Sequence, residues 1–542
     1  MSVMRTGELL LQADGDLGWP LRRAAQLRGD AVAVVADGRL LTYRQLAERV
    51  GALGGALDEL RLAIGARVGF LGVNSLAHVE CWLGVPAFDR VLVDLNFRLA
   101  EDELAFMVDD CELEVLFVDR AQLEVARALG ERCPSLLELV LDTAESVPEG
   151  CIAYDDLLAA QSPAEPHPAD PDRLAAISYT GGTTGTPKGV MLSHGNLLAN
   201  ARHNLIATGH RPTDNWLQVC PMFHVAGTAN VFACTWVGSR QTVLPRFDAA
   251  AVADTIEREQ VTHTVLVPTM LAMLLDHLDH LDHLDQHPSR RLESLQHVQY
   301  AASPITPELQ RRALERFPCE IVQFYGMTEA APTVTSATAE DHRRGIAGEA
   351  PYARRLASIG APVVGVEAEV RGEGGRRLPP GEVGEIWVRG PNVMLGYWNR
   401  PDVTASALAG GWYHTGDAAY ADEDGYLYIV DRFKDMIITG GENVYSIEVE
   451  RTLTDHSAVA EAAVFGIPHP RWGEAVHAVV TLTAGSPVTD EELIAHCRKR
   501  IAAYKAPRTI ELRSEPLPKS GAGKLLKHVL REPYWAGQPR HV

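Results

Sequence analysis

The chain is predicted to be an α/β protein: a large N-terminal domain of several subdomains on largely parallel sheets, a β-rich subdomain, and a small α+β C-terminal domain. Three observations carry this. Short apolar runs alternate with helix-like spacing through roughly the first 430 residues. Between Gly365 and Ile429 the texture changes to short β-like runs broken by Gly/Pro turns. After Arg432 a shorter stretch repeats strand and helix patterns by itself, which places the boundary at 1–432 and 433–542.

The strands expected in the first part are Val68 to Val73, Val91 to Leu95, Val115 to Val118, Ala175 to Tyr179, Thr264 to Val267 and Glu320 to Phe324. Each is a short, largely apolar run, as strands covered on both faces require. Tyr43 to Leu60 and Ala100 to Val108 carry helical spacing between them. Glu385 to Arg389 and Tyr426 to Val430 read as strands of the β-rich part. In the C-terminal part, Ala458 to Phe465 and Val476 to Leu482 read as strands, flanked by helices at Ile447 to Leu453 and Asp490 to Ile501. From Leu275 to Asp285 a Leu-Asp-His triplet recurs. It reads first as a helix with an apolar stripe and a solvated face, with metal binding by His277, His280 and His283 as the rarer alternative.

A chain of 542 residues exceeds one hydrophobic core. Its net charge of −21 makes nucleic acid and anionic membranes poor partners for the whole molecule. The basic stretch from Cys497 to Lys527 can still serve an anionic ligand. The 8 cysteines are scattered without a CxxC pair, which argues against a zinc site and against a secreted disulfide framework. A cytoplasmic location is expected, since no signal peptide and no apolar window of membrane-spanning length is visible.

The strongest local signal is Tyr179-Thr-Gly-Gly-Thr-Thr-Gly-Thr-Pro-Lys-Gly-Val190, directly after an apolar strand. Its four glycines and four threonines cannot pack a core. They suit a loop whose backbone N–H groups approach an anion, with threonine hydroxyls and Lys188 as further donors. A plain Gly/Thr-rich surface loop is the bland alternative. A Walker A loop is disfavoured, because Pro187 precedes Lys188 and Gly189 follows it, where that motif needs Gly before and Ser/Thr after.

With this loop the chain resembles the adenylate-forming superfamily of acyl-CoA synthetases, adenylation domains and luciferases. The resemblance runs from Leu41-Thr-Tyr-Arg-Gln-Leu46 to Lys524, with Gly181 standing where the family usually has Ser. It implies that Thr180, Gly181, Gly182, Thr183, Thr184, Gly185 and Lys188 cradle ATP phosphates. Phe324-Tyr-Gly-Met-Thr-Glu329 matches the adenine and magnesium motif, so the resemblance puts Tyr325 on adenine, Thr328 on the α-phosphate and Glu329 on Mg²⁺. Trp412-Tyr-His-Thr-Gly-Asp417 and Asp431-Arg-Phe-Lys-Asp-Met436 imply ribose contacts from Asp417 and Arg432 and a hinge at Lys434, about which the small domain is mobile. Pro518-Lys-Ser-Gly-Ala-Gly-Lys524 implies that Lys524 is the catalytic lysine, and Gly440, Gly441 and Glu442 would line the path of pantetheine.

The same resemblance implies two half-reactions needing ATP, Mg²⁺ and coenzyme A: a carboxylate takes the adenylyl group and expels pyrophosphate, then a thiol takes the acyl group and releases AMP. In Pro221-Met-Phe-His-Val-Ala-Gly227, His224 stands where amino-acid-activating relatives usually have Asp. A histidine supplies no fixed negative charge for an α-ammonium, so a fatty or aryl acid without an α-amino group is expected. Phe223, Thr228, Val231, Tyr300, Ala301 and Ala302 are the further pocket candidates, Ala302 lying beside adenine or the acyl chain. The runner-up reading is an acyl-AMP ligase that loads a separate acyl carrier protein. A non-catalytic nucleotide-binding regulator is the alternative of another class. A homodimer is compatible with the sequence, which leaves oligomeric state open.

Overall fold

The computed structural model describes residues 16–142, 147–166, 169–180, 187–283, 292–302, 305–432, 435–439, 442–470, 472–483, 485–519 and 525–536. By internal contacts the chain divides into two compact units, Met1–Glu367 with Arg389–Tyr413, and Ala368–Val388 with His414–Val542. The β-rich strands thus cluster with the C-terminal residues.

The first unit is built on two sheets. The nine-stranded sheet runs Ala361–Pro362, Thr333–Ala337, Glu320–Gly326, His297–Tyr300, His263–Leu266, Asn215–Gln218, Arg240–Val243, Val32–Ala36 and Arg39–Thr42. The strands from Glu320–Gly326 to Val32–Ala36 are parallel, and the outer ones are antiparallel. The eight-stranded sheet runs Gly396–Tyr397, Lys188–Ser193, Leu174–Thr180, Val91–Leu95, Arg67–Leu71, Val115–Asp119, Glu138–Asp142 and Ile152–Ala153. It is parallel from Leu174–Thr180 onward. Val91–Leu95 is buried at every position, which is why it does not alternate; its one polar residue, Asp94, is bonded by His78 and Trp82.

Helix starts follow local chemistry. The Thr42 hydroxyl accepts from the Gln45 N–H while the Gln45 side chain accepts from the Thr42 N–H, and Tyr43–Glu59 follows. The same reciprocal pair, Ser193 with Asn196, opens His194–Thr208. The triplet repeat forms most of Pro268–His283, with Leu271, Leu274, Leu275 and Leu278 in the core. Its aspartates have partners that the repeat alone does not reveal. Asp276 and Asp279 pair with Arg312, and Asp282 with Arg316 at 3.1 Å, both on the helix Pro307–Arg316. His280 is exposed and His277 half-buried, while the side chain of His283 lies outside the described residues.

The second unit holds most of a four-stranded sheet, Glu367–Arg371, Gly384–Arg389, Tyr413–Ala421 and Leu427–Arg432. Its C-terminal sheet centres on the antiparallel pair Val459–His469 and Gly473–Leu482, with Thr509–Arg513 parallel to the latter. The helix Lys527–Trp535 is anchored by half-buried Lys527, which donates to Ser446 Oγ at 2.6 Å and pairs with Glu450 at 2.7 Å. No helix among the described residues is long and apolar enough to cross a membrane.

Candidate active site at the carboxyl edge of the large sheet

In an open parallel sheet the loops beyond the carboxyl ends of the strands are where ligands bind. Four signal-bearing segments leave this edge or its neighbour. Asn215–Gln218 leads into Pro221 to His224, His297–Tyr300 into Ala301 and Ala302, Glu320–Gly326 into Thr328 and Glu329, and Leu174–Thr180 into the Gly/Thr loop.

Thr328 is buried and Glu329 half-buried on a single 3-10 turn, Thr328–Ala330. The turn is clamped from residues that sequence reasoning did not single out. Asn392 Nδ2 donates to the carbonyls of Ala330 at 2.7 Å and Thr333 at 2.8 Å, and the Met394 N–H donates to the Glu329 carbonyl at 2.9 Å. Asn196 Nδ2 in turn holds the carbonyls of Pro391 and Val393, and Asn200 Oδ1 accepts the Thr333 N–H.

Gly326 explains why a glycine separates Tyr325 from this turn. A Cβ there would lie 1.7 Å from the Pro332 carbonyl oxygen, and backbone cannot give way as a side-chain tip can. Gly326→Ala is therefore expected to destabilise the protein by about 3 kcal/mol or more. It should also cut ATP–pyrophosphate exchange over tenfold. Thermal melting and exchange assays check this, and a variant that matched the wild type in both would refute it.

Glu329 and Lys188 come from segments 141 residues apart in sequence, and Tyr397 links them. The Tyr397 hydroxyl donates to Glu329 Oε1 at 3.0 Å, and Lys188 Nζ lies 5.3 Å from the Tyr397 ring centroid. Burial, with the Glu329 charge next in size, pushes the phenol of Tyr397 far up, and burial does the same for Tyr413, which bonds Tyr397. Both phenols therefore stay protonated and donate. Gly396–Tyr397 is set against Lys188–Ser193 as an antiparallel strand. Asp110 fixes the following residues: its carbonyl accepts from Trp398 Nε1 at 2.9 Å and from Asn399, and its carboxylate pairs with Arg400 and accepts from Tyr179.

His224 is the N-cap of Val225–Val237, and its Nδ1 accepts from the Ala226 N–H at 3.3 Å. That leaves the ring proton on Nε2 in the neutral form. The loop before it hangs on Asn74, whose Nδ2 donates to the carbonyls of Cys220 and Leu244 and whose Oδ1 accepts the Met222 N–H at 2.8 Å. Phe223 meets Phe97 edge to face at 5.3 Å. Thr228 and Val231 are buried on the helix.

One pocket candidate is placed away from any accessible surface. Tyr300 belongs to the core, fully buried, with its hydroxyl accepting from Gln310 Nε2 at 2.8 Å and bonding Gln323 and His342 Nε2. A phenol satisfied three times in this way has no reason to face a ligand. Ala302 is exposed and has φ +76°, a left-handed conformation that costs an alanine of the order of 1 kcal/mol and that a glycine would adopt freely.

In the second unit, Asp417 and Arg432 are direct cross-strand partners. Asp417 is buried, and its N–H donates to Thr415 Oγ1 at 3.0 Å. Thr180 is described at the end of its strand, pairing Lys188 in register. Gly181, Gly182, Thr183, Thr184, Gly185, Lys434, Gly440, Gly441 and Lys524 lie outside the described residues, and Glu442 is placed by its backbone strand alone.

Known proteins match most of the length of this chain. The family model described as AMP-binding enzyme matches residues 21–398, and that described as AMP-binding enzyme C-terminal domain matches residues 448–524. A feruloyl-CoA synthase of an Amycolatopsis species is 38% identical over 95% of this chain and 98% of its own. A fatty acid–[acyl-carrier-protein] ligase of Streptomyces coeruleorubidus is 34% identical over 96% of each. The solved o-succinylbenzoate CoA synthetase of Bacillus subtilis, in complex with its acyl-adenylate intermediate, superposes with a TM-score of 0.81 at 29% identity, covering 94% of this chain and 97% of that one. The chain belongs to the AMP-binding enzyme family.

Proposed function

We propose that this protein is an ATP-dependent acid–thiol ligase that converts an aryl or fatty acid without an α-amino group into its acyl-adenylate and then into a coenzyme A thioester. The observation that carries this reading is the linkage of Glu329, Tyr397 and Lys188 at the carboxyl edge of the sheets, which joins the end of the phosphate loop to the carboxylate of the adenine motif. The 38% identity to a feruloyl-CoA synthase supports the aryl class, as does the Phe97–Phe223 pair beside His224.

In the first half-reaction the substrate carboxylate oxygen attacks the α-phosphorus and pyrophosphate leaves. Like charges meet at that point, so cationic and N–H groups must offset them. Thr180 to Gly185 and Lys188 hold the β- and γ-phosphates, Thr328 donates to the α-phosphate, and Tyr325 stacks on adenine. Glu329 fits a hard divalent cation, since its carboxylate is half-buried and oriented by a protonated phenol. Mg²⁺ bound there supplies further neutralisation of phosphate charge. Asp417 and Arg432 hold the ribose hydroxyls, Ala302 lies beside the adenine, and Lys524 lies on the reacting phosphate. His224, with its proton on Nε2, borders the acyl group.

In the second half-reaction the thiol sulfur attacks the acyl carbonyl, AMP leaves and the thiol proton is released. One lysine cannot cover the phosphate while a pantetheine arm enters, so the part after residue 432 turns about Lys434 and brings Gly440, Gly441 and Glu442 to the arm. The eight free cysteines, six of them buried, support a reducing compartment, the cytoplasm.

The test is AMP release over a panel of aryl, fatty and amino acids, with and without coenzyme A. AMP and an acyl-CoA from one aryl or fatty class is the expected result. Adenylate that only a carrier protein discharges would move the acceptor, in line with the carrier-protein ligase among the relatives. Turnover of amino acids alone would refute the substrate class, and no turnover with ATP still bound would favour a nucleotide-binding regulator.

A further inference from the structure

At the opposite, amino-terminal edge of the nine-stranded sheet, His263 and His297 start their strands and His210 and Asp214 precede Asn215–Gln218. One ligand atom from each of His210, Asp214 and His263 lies within 4.8 Å of the others, and all three residues are buried. Pro221 to His224, Ala301, Thr328 and Glu329 follow the other, carboxyl ends of their strands.

Contacts behind the cluster fit rings that turn a lone pair inward. Thr262 Oγ1 lies 2.8 Å from His263 Nδ1 and can donate its single proton to the Asn215 carbonyl at 3.1 Å, an arrangement in which the ring N–H is the donor and His263 Nε2, 3.8 Å from Asp214 Oδ2, carries the lone pair. Ser239 Oγ lies 2.7 Å from His210 Nε2 and can donate to the Cys234 carbonyl at 3.4 Å, which lets that ring donate in the same way. Two imidazoles and a carboxylate converge in this buried place. The Asp214 carboxylate accepts the Arg211 N–H at 2.6 Å, and the Arg211 guanidinium reaches it at 3.4 Å from an exposed side chain. His297 stacks on His263 at 5.4 Å, and its buried Nε2 has no hydrogen-bond partner among the described residues.

We propose that His210, Asp214 and His263 form a site for a divalent transition-metal ion of the Zn²⁺ or Co²⁺ class, which ties the chain before Asn215–Gln218 to the start of His263–Leu266. Imidazole donors select such ions over Mg²⁺ and Ca²⁺, which prefer all-oxygen shells. Metal–ligand bonds of about 2.0–2.2 Å separate two ligand atoms by at most about 4.4 Å, so small side-chain shifts close the cluster on an ion. Thr262 and Ser239 orient the rings from behind, the outer-shell arrangement that metal-binding histidines commonly show. The site sits on the far edge from the chemistry, so it acts on stability and not on turnover.

The test titrates the metal-free full chain with Co²⁺ alone, following visible d–d absorption and thermal melting. One equivalent bound, with a melting temperature raised by several degrees, is expected for the wild type. Asp214→Asn and His263→Gln should each bind about 100-fold more weakly. The triple variant His277→Gln, His280→Gln, His283→Gln should bind like the wild type. X-ray absorption of the Co²⁺-loaded wild type should show two imidazoles and a carboxylate, which keeps the test decisive if a ligand variant fails to fold. Absence of stoichiometric binding would overturn the proposal, as would binding lost only in the triple variant.

Discussion

Lys524→Ala is expected to lower ATP–pyrophosphate exchange by about 10²–10³-fold, and to leave thioester formation from a supplied acyl-adenylate within about threefold of the wild type. The difference follows from charge. Adenylation brings a carboxylate onto a triphosphate, and a preorganised cation at the developing charge accounts for roughly 3–4 kcal/mol of barrier. Thioester formation expels AMP from a mixed anhydride, and no new anion has to approach the phosphorus. The segment carrying Lys524 is held at its base: Lys519 bridges Leu525, the Leu526 N–H donates to the Pro518 carbonyl at 2.9 Å, and Lys519 pairs with Glu461. A few residues on, Lys527 ties the segment through Ser446 to Asp431, just before the proposed hinge. The described residues on either side of Lys524 are thus bonded to the C-terminal part, so under the proposed turning about Lys434 the cation would leave the nucleotide with it. Equal losses in both half-reactions would mean that Lys524 stays at the nucleotide throughout, and the turning of the small domain would have to be abandoned.

Most of the fold was legible because the parallel strands are covered on both faces. Val91–Leu95 and Val115–Asp119 are largely apolar runs, each with one aspartate, whose bounds match the expected ones closely, and Thr42 with Gln45 marks a helix start that the side chains themselves build. The motif residues were legible as local words. What holds them was not. Tyr397, Asn392 and Asn74 act across 68, 62 and 146 residues, and a lone tyrosine or asparagine carries no local sign of such a partner. Tyr300 misled for the same reason, since the three groups that satisfy its hydroxyl come from other elements. The aspartates of the triplet repeat look solvated until Arg312 and Arg316 are brought alongside. Contacts also group the four-stranded sheet with the C-terminal residues, whereas texture placed the break after Arg432. Composition reports what a segment is made of and not which neighbour it touches most.

The second large effect is a loss of stability in mild acid that two histidines of the helix His194–Thr208 bring about. Burial holds both His194 and His203 down at about 4. Asp16 and Asp89 pull His194 upward and Arg173 pushes it down, while Arg202 adds to the lowering of His203. The geometry agrees, because His194 Nδ1 accepts the Leu17 N–H and His203 Nδ1 has no partner among the described residues, so neither position welcomes a proton. Unfolded, each ring titrates near about 6.5. The unfolded chain therefore binds more protons below that value, and the stability from keeping the rings neutral is complete above it and lost as pH falls towards 4. At pH 5 the loss is about 2 kcal/mol per ring. Asp142 works in the opposite direction: burial raises it to about 6, so it takes its proton sooner in the folded chain and adds stability as pH falls. That contribution is common to wild type and variant and cancels between them. Urea unfolding at pH 7 and pH 5, with a chelator present, should show His194→Asn/His203→Gln losing about 4 kcal/mol less than the wild type over that interval. Parallel losses in the two proteins would place the acid sensitivity elsewhere. Because both rings lie on the helix whose Asn196 and Asn200 clamp that turn, the same protonation would loosen the support of Glu329. Adenylation should then fall in step with stability in the wild type and persist to lower pH in the variant.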